Sequence, residues 1–361
     1  MTDQFDSIFA ALEKRPRLLM QAALRPIQTD RFQPTGFPNL GPAEYKRLNA
    51  DGESTPMLLV ESAQSMANRM EKVCWDDATN SVQPVLTGLP YVEVDLGNGE
   101  KTTSMHEAHR LNSPRITDEQ KAFKARLKEE IGDPPSDILR LPQVALRYDV
   151  GSVLHGVFLE SIAGRLRLPR LVSSFIEAVI MDRAVSGGAK FDTSPKKNQE
   201  EGKTSKEGYG NIIYSRTEYT AKEITAYFNF DLATMRGYRL GEAKNRLLMA
   251  LALYKIFRLL DGNLRLRTAC DFDAVSVAVT RPDDLDLSNR AELLAEIERK
   301  MPELIRACEF GDDPVTRLVA PSKGSKTTNK DEHKNAEQSV TNNDAREEET
   351  PTSDDDEDED A

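Results

Sequence analysis

The sequence predicts an α+β chain, a sheet of split βαβ type carrying large insertions. Two alternating strands, one long apolar helix and two polar interruptions predict it. Residues 17–27 (RLLMQAALRPI) place Leu18, Met20, Ala22 and Leu24 on one side and Arg17, Gln21 and Arg25 on the other, the pattern of a half-buried strand. Ile224, Ala226, Phe228 and Phe230 repeat that alternation. Residues 242–260 (EAKNRLLMALALYKIFRLL) read as the longest apolar helix, closed by Asp261-Gly262. The polar stretches, about 97–145 and 193–210, read as insertions rather than core, the second as a mobile loop.

The remaining elements fill this frame. A Pro/Gly-rich loop covers residues 29–41. Thr55-Pro56 reads as an N-cap and first helical residue, followed by Leu59, Ala63, Met66, Met70 and Val73 at helical spacing. Residues 88–96 (GLPYVEVDL) read as a strand ended by Gly97-Asn98-Gly99. Thr117 and Gln120 form a capping box before a short charged helix. Leu171, Val172, Phe175, Ile176, Val179 and Ile180 form a helical stripe. NIIYSRTEY and EITAYFNFDL read as two strands of a hairpin, and LRLRTACDFDAVSVAV as a further strand. Ser288 caps a last helix, 289–308, with Pro302 inside it. No internal repeat is visible.

The chain has 361 residues, 39% of them hydrophobic, enough for a sizeable core. Its net charge of -12 is unevenly placed. Residues 322–361 hold five basic and fourteen acidic side chains, a net charge of -9, which leaves -3 on the rest. A nearly balanced body can carry basic patches on one face, so the overall acidity does not exclude a nucleic-acid partner. The organisation expected is one domain, residues 1–320, and a disordered acidic tail, residues 321–361. Cys74, Cys270 and Cys308 are too scattered for a disulfide framework or zinc cluster and read as buried free thiols. The N-terminus has no signal-peptide pattern, and no apolar run approaches the roughly 20 residues of a membrane span. A soluble, cytoplasmic protein without a membrane partner is expected.

Few stretches carry chemistry. His106-Glu107-Ala108-His109 spaces its histidines three apart, where a metalloprotease helix needs four, so metal binding is not expected. Asp271 and Asp273 alternate on a strand and share a face, as a magnesium-binding or proton-sharing pair would, with His155 a conceivable helper. SGGAKFD (186–192) is neither a Walker loop nor a dinucleotide fingerprint. Gly187 and Gly188 read either as a bulge that lets another backbone come close or as amides that, with Lys190, meet a polymer phosphate. Arg17, Arg25, Arg31, Lys190, Arg216, Arg236, Arg239, Arg265 and Arg267 recur at strand ends, where together they would form a track for a phosphate backbone. Phe32, Phe37, Phe191 and Tyr238 lie beside several of them and could stack on bases.

LLVESAQSMANRMEKVCWD, SGGAKFD, AYFNFDL, RGYRLG and LRLRTACDFD, in that order, resemble the backbone subunit of type I-U (also called I-G) CRISPR interference complexes, of the RAMP superfamily. The resemblance runs over most of residues 10–310 and leaves out the tail and the polar insertions. It implies a modified RNA-recognition-type, ferredoxin-like palm with thumb and finger insertions, the thumb within residues 88–145. It further implies a subunit without catalytic residues, cofactor or metal. Copies of it would polymerise along one CRISPR RNA (crRNA), beside other subunits of the complex, and hold the guide while it pairs with a target DNA strand. The guide-binding residues implied are drawn from Arg17, Arg25, Arg31, Gly187, Gly188, Lys190, Arg236, Arg239, Arg265 and Arg267. Two other classes stay open. A metal-dependent RNase would use Asp271 and Asp273, and a small-molecule enzyme has only the glycines in its favour.

Overall fold

The computed structural model describes residues 4–37, 40–132, 139–163, 167–190, 212–262 and 264–321. The chain divides into two units, Met1–Ala320 and Pro321–Ala361, and all but the first residue of the second lies outside the described residues. So does the loop expected at 193–210.

In chain order the first unit begins with α1 (Gln4–Glu13), β1 (Arg17–Pro26), β2 (Arg31–Phe32), β3 (Gly36–Phe37), β4 (Gly41–Leu48), β5 (Ser54–Glu61) and α2 (Ala63–Lys72). It continues with β6 (Trp75–Asp76), β7 (Ser81–Val82), β8 (Val92–Gly97), β9 (Glu100–Thr103), α3 (Lys121–Ile131), α4 (Arg140–Tyr148) and α5 (Val150–His155). Then come β10 (Val157–Phe158), α6 (Glu160–Ala163), β11 (Arg167–Leu168), β12 (Val172–Lys190), β13 (Ile212–Asp231) and α7 (Leu232–Gly237). The last elements are α8 (Glu242–Asp261), β14 (Leu264–Arg267), β15 (Cys270–Arg281), α9 (Arg290–Ala307) and β16 (Thr316–Val319).

The architecture is α+β around one large antiparallel sheet, ordered β14-β15-β1-β13-β12-β5-β4-β3, with β2 paired to β13. Its core face is a grid. Leu18, Met20, Ala22 and Leu24 of β1 lie opposite Phe230, Phe228, Ala226 and Ile224 of β13. Those in turn lie opposite Val172, Ser174, Ile176 and Ala178 of β12, and all twelve side chains are buried. Helix α8, apolar nearly all round, packs against α9, α2 and the β14–β15 end of the sheet. No helix among the described residues is long and apolar enough to cross a membrane.

Several expectations fail, each for a local reason. Ser54–Glu61 is a strand, not the start of a helix, and the helix begins after Ser62, whose hydroxyl accepts from the Ser65 N–H. A short apolar run such as MLLV fits either period, and Pro56 is tolerated where β5 has β4 beside it but lies beyond the β12 pairing. The expected helical stripe at 171–180 is the inner half of β12. Small Ser174 and Ala178 take core positions while Phe175 and Val179 lie on the other face, which hides the period of two. The expected hairpin turn near Thr220-Ala221-Lys222 is a register irregularity inside the single strand β13, and the hairpin is β12 with β13. The expected strand at 264–279 is a hairpin too, turning at Ala269 with φ 59°.

Residues 97–145 are not peripheral to the core. Leu111, Ile116, Phe123, Leu127, Ile131 and Leu141 are buried in the same apolar cluster as the sheet. Thr117 donates to the Ser113 carbonyl instead of forming a capping box, and Gln120 stands at the N-cap of α3 without a side-chain cap bond. Helix α1 went unpredicted although Phe5, Ile8, Phe9 and Leu12 have helical spacing and are all buried. The three cysteines are free and buried, as expected.

Candidate nucleic-acid interface

Strands β12 and β13 outrun their neighbours. Their outer halves, from Asp182 and from Thr220, pair with each other, and at the base β13 also pairs with β2. Alternation on this two-stranded arm puts Tyr214, Arg216 and Glu218 on one face, opposite Gly188, Ser186 and Ala184. At its base the loop after β1 folds in. The Ile27 N–H donates to the Asp271 carbonyl (3.1 Å) and the Gln33 N–H to that of Ala269 (2.8 Å).

The result is a cleft of about 370 Å³ lined by Pro26, Ile27, Gln28, Thr29, Arg31, Phe32, Arg216, Glu218, Arg265, Ala269 and Asp271. Arg31 and Arg265, far apart in sequence, meet here with Arg216 on a third element. Their side chains are 58%, 74% and 39% exposed. Arg31 Nη1 lies 3.6 Å and Arg216 Nε 3.7 Å from Glu218 Oε2, and Arg265 Nε lies 3.7 Å from Asp271 Oδ1. Arg216 Nε donates to Ser186 Oγ at 3.1 Å. Sequence reasoning missed Glu218. The available signal was its place two residues after Arg216 on one strand, hence on the same face.

The other predicted residues scatter. Arg17 and Arg25 lie on the sheet face opposite the grid, where Arg17 donates to Asn229 Oδ1 (3.1 Å) and Asp231 Oδ2 (3.0 Å). Arg25 is exposed and stands in register with Asp273. Arg267 is engaged internally, bonded to the buried Glu61 that also attracts Arg69 at 3.6 Å. Arg236 donates to the Arg15 carbonyl at 2.8 Å and ties α7 to the link between α1 and β1. Arg239 is exposed on the turn before α8.

Gly187 and Gly188 sit in the regular ladder of the arm, so neither forms a bulge. Their reason is still close approach. A Cβ on Gly187 would lie 2.8 Å from the Tyr214 carbonyl oxygen, and one on Gly188 2.8 Å from the Tyr214 hydroxyl. Lys190 ends β12 opposite Ile212, and its side chain lies outside the described residues, as do those of Phe37 and Phe191. Phe32 and Tyr238 are buried, at 1% and 8% exposure, which corrects the expectation that they stack on bases. Half-buried Phe175 and Tyr227 instead stack on each other at 5.1 Å on the non-core face of the sheet.

The alternative chemistry finds a different geometry. Asp271 faces Arg265 in the cleft. Among the described residues no group of three or more His, Cys, Asp or Glu side chains is placed to hold a metal ion. His106 is engaged with Thr103 Oγ1 at 2.9 Å and packs edge-on against Trp75. His155 is buried beside Lys255, its Nε2 3.1 Å from Nζ. Burial, reinforced by the Lys255 and Arg110 charges, holds its pKa well below 6.5. The unfolded chain therefore takes up a proton there that the folded chain refuses. The His155 contribution to stability is present above pH 6.5 and lost as the pH falls below it. Between about pH 7.5 and 5.5 the urea midpoint of the wild type should fall faster than that of His155→Gln; parallel curves would contradict this assignment.

Residues 18–182, from β1 to the start of the arm in β12, match the family described as CRISPR-associated protein GSU0053 (Cas_GSU0053). Over that stretch the chain is similar to a CRISPR-associated family. The match takes in Arg25 and Arg31 and stops short of Arg216, Glu218 and Arg265. No curated protein matches the chain. Among solved structures, a chain of a "CRISPR RNA-guided surveillance complex, pre-nicking" is 12% identical with a TM-score of 0.35, covering 80% of this chain and 88% of its own. Csc2 of Thermofilum pendens is 9% identical with a TM-score of 0.31, covering 85% and 84%. Likenesses this distant carry no weight for fold or function.

Proposed function

We propose that this chain is a non-catalytic, guide-RNA-binding backbone subunit of a DNA-targeting CRISPR interference complex of type I-U (I-G). Several copies line up along one crRNA and hold it while other subunits complete the complex. The observation that carries this reading is the match of residues 18–182 to a CRISPR-associated family. The sheet supports the palm. Strands β15, β1, β13 and β12 are adjacent in that order and all antiparallel, with helices between β1 and β12 and α8 between β13 and β15. That is the strand order of a split βαβ, ferredoxin-like sheet. The cleft supports phosphate binding, since Arg31, Arg216 and Arg265 converge on one opening.

Co-expression with the neighbouring genes of the complex, purification and sequencing of bound RNA tests the proposal. The expected result is short RNA of uniform length with repeat-derived ends. Purification without RNA, or with RNA of random length and origin, overturns it.

A further inference from the structure

We infer that the cleft at the base of the arm is a site for one phosphodiester of a single-stranded RNA, with buried Glu218 as the positioning residue that holds its arginines. The inference rests on the RNA-binding reading above and deepens it.

Charge selects the ligand class. Three guanidinium groups and two carboxylates line the cleft, a net charge of +1. One phosphodiester, a monoanion, balances that charge. A divalent cation meets three guanidinium groups instead, and a nucleotide di- or triphosphate brings more negative charge than the cleft can neutralise. The volume of about 370 Å³ lies at the small end of ligand sites, suited to one backbone unit of a strand passing through.

Glu218 supplies the second observation. Its side chain is 6% exposed, and Oε2 is buried without a hydrogen-bond partner. The nearest cations are Arg31 Nη1 at 3.6 Å and Arg216 Nε at 3.7 Å, attractive by charge but too distant for hydrogen bonds. A buried carboxylate held this way draws both guanidinium groups to the cleft wall and leaves the Arg31 N–H groups free to face outward. A phosphate oxygen pair is the acceptor a guanidinium fork fits best. Arg265, which lines the same cleft and is 74% exposed, adds a third guanidinium for the same anion.

Charge alone and positioning predict opposite signs, which makes the test sharp. The full-length chain is titrated into a short labelled oligouridylate, and binding is followed by fluorescence anisotropy over a range of KCl concentrations. Glu218→Gln keeps the side-chain volume and raises the cleft charge. A purely electrostatic cleft would then bind RNA more tightly. Positioning predicts about tenfold weaker binding, partly restored in Glu218→Asp. Arg216→Ala, at a side chain 39% exposed, should lower the slope of log affinity against log salt by about 0.7. A Glu218→Gln variant that binds as tightly as the wild type or tighter overturns the positioning role. An unchanged slope in Arg216→Ala overturns the site, even if Glu218→Gln does not fold. A wild-type chain that binds no oligouridylate at low salt overturns the RNA-binding reading itself, which is a separate failure.

Discussion

Arg110→Ala should destabilise the protein by about 3–5 kcal/mol, the loss expected when one partner of a buried ion pair is removed. Arg110 reaches from the polar stretch before α3 into the core and meets Glu71 of α2. Its Nε donates to Oε1 at 2.7 Å, and Nη2 lies 2.7 Å from Oε2. The two side chains are 6% and 2% exposed. Burial raises the Glu71 carboxyl to about 7, and the Arg110 charge opposes that rise. With Arg110 gone, Glu71 must either sit buried as an unpaired anion or take up a proton, and both are unfavourable. Urea unfolding at pH 8 measures the loss as a lower midpoint at unchanged slope. The double variant Glu71→Leu, Arg110→Leu should recover part of it, because both charges of the pair go together while the buried Lys255 and Asp149 that also act on Glu71 remain. A single-variant loss below about 1 kcal/mol would mean that the pair is reached by water. The contact adds a buried ion pair to the apolar side chains, Leu111 to Leu141, by which residues 97–145 join the core.

Ile176→Ala should cost about 2–5 kcal/mol, while Val179→Ala should cost under about 1.5 kcal/mol. Ile176 is fully buried between Ala226 of β13 and Glu61 of β5. Val179 lies three residues on, on the opposite face of the strand and half-exposed. A helix would place both on one stripe and make the two losses similar. Paired urea titrations distinguish the two, and equal losses would contradict the register of β12.

The sequence made the two flanks of the grid readable. In β1 and in the inner half of β13 every inward position is apolar, so the alternation is clean. The middle strand, β12, was not readable, since it buries a serine and an alanine and shows a phenylalanine and a valine on its other face. Long helices were legible wherever apolar residues ran for several turns, as in α8. The site was half legible. Arg31, Arg216 and Arg265 were named from residue type and placement at strand ends, and the cleft gathers all three; the buried Glu218 was not. Arg267 looked identical to Arg265 in sequence, two residues apart on one strand. A register irregularity between them turns Arg267 toward the buried Glu61 and leaves Arg265 in solvent.

By itself, then, the sequence determined the α+β class, the faces of β1 and β13, and a surplus of arginine near strand ends. It did so because burial enforces a local period that neighbours along the chain must obey. Only the tertiary structure decided which arginines face solvent together. Arg31, Arg216 and Arg265 come from the short strand β2, the arm and the β14–β15 hairpin, and Glu218, the charge that gathers two of them, carries no mark of its burial in the residues beside it. Convergence of side chains from distant strands depends on register and twist, which arise only when the whole sheet is assembled.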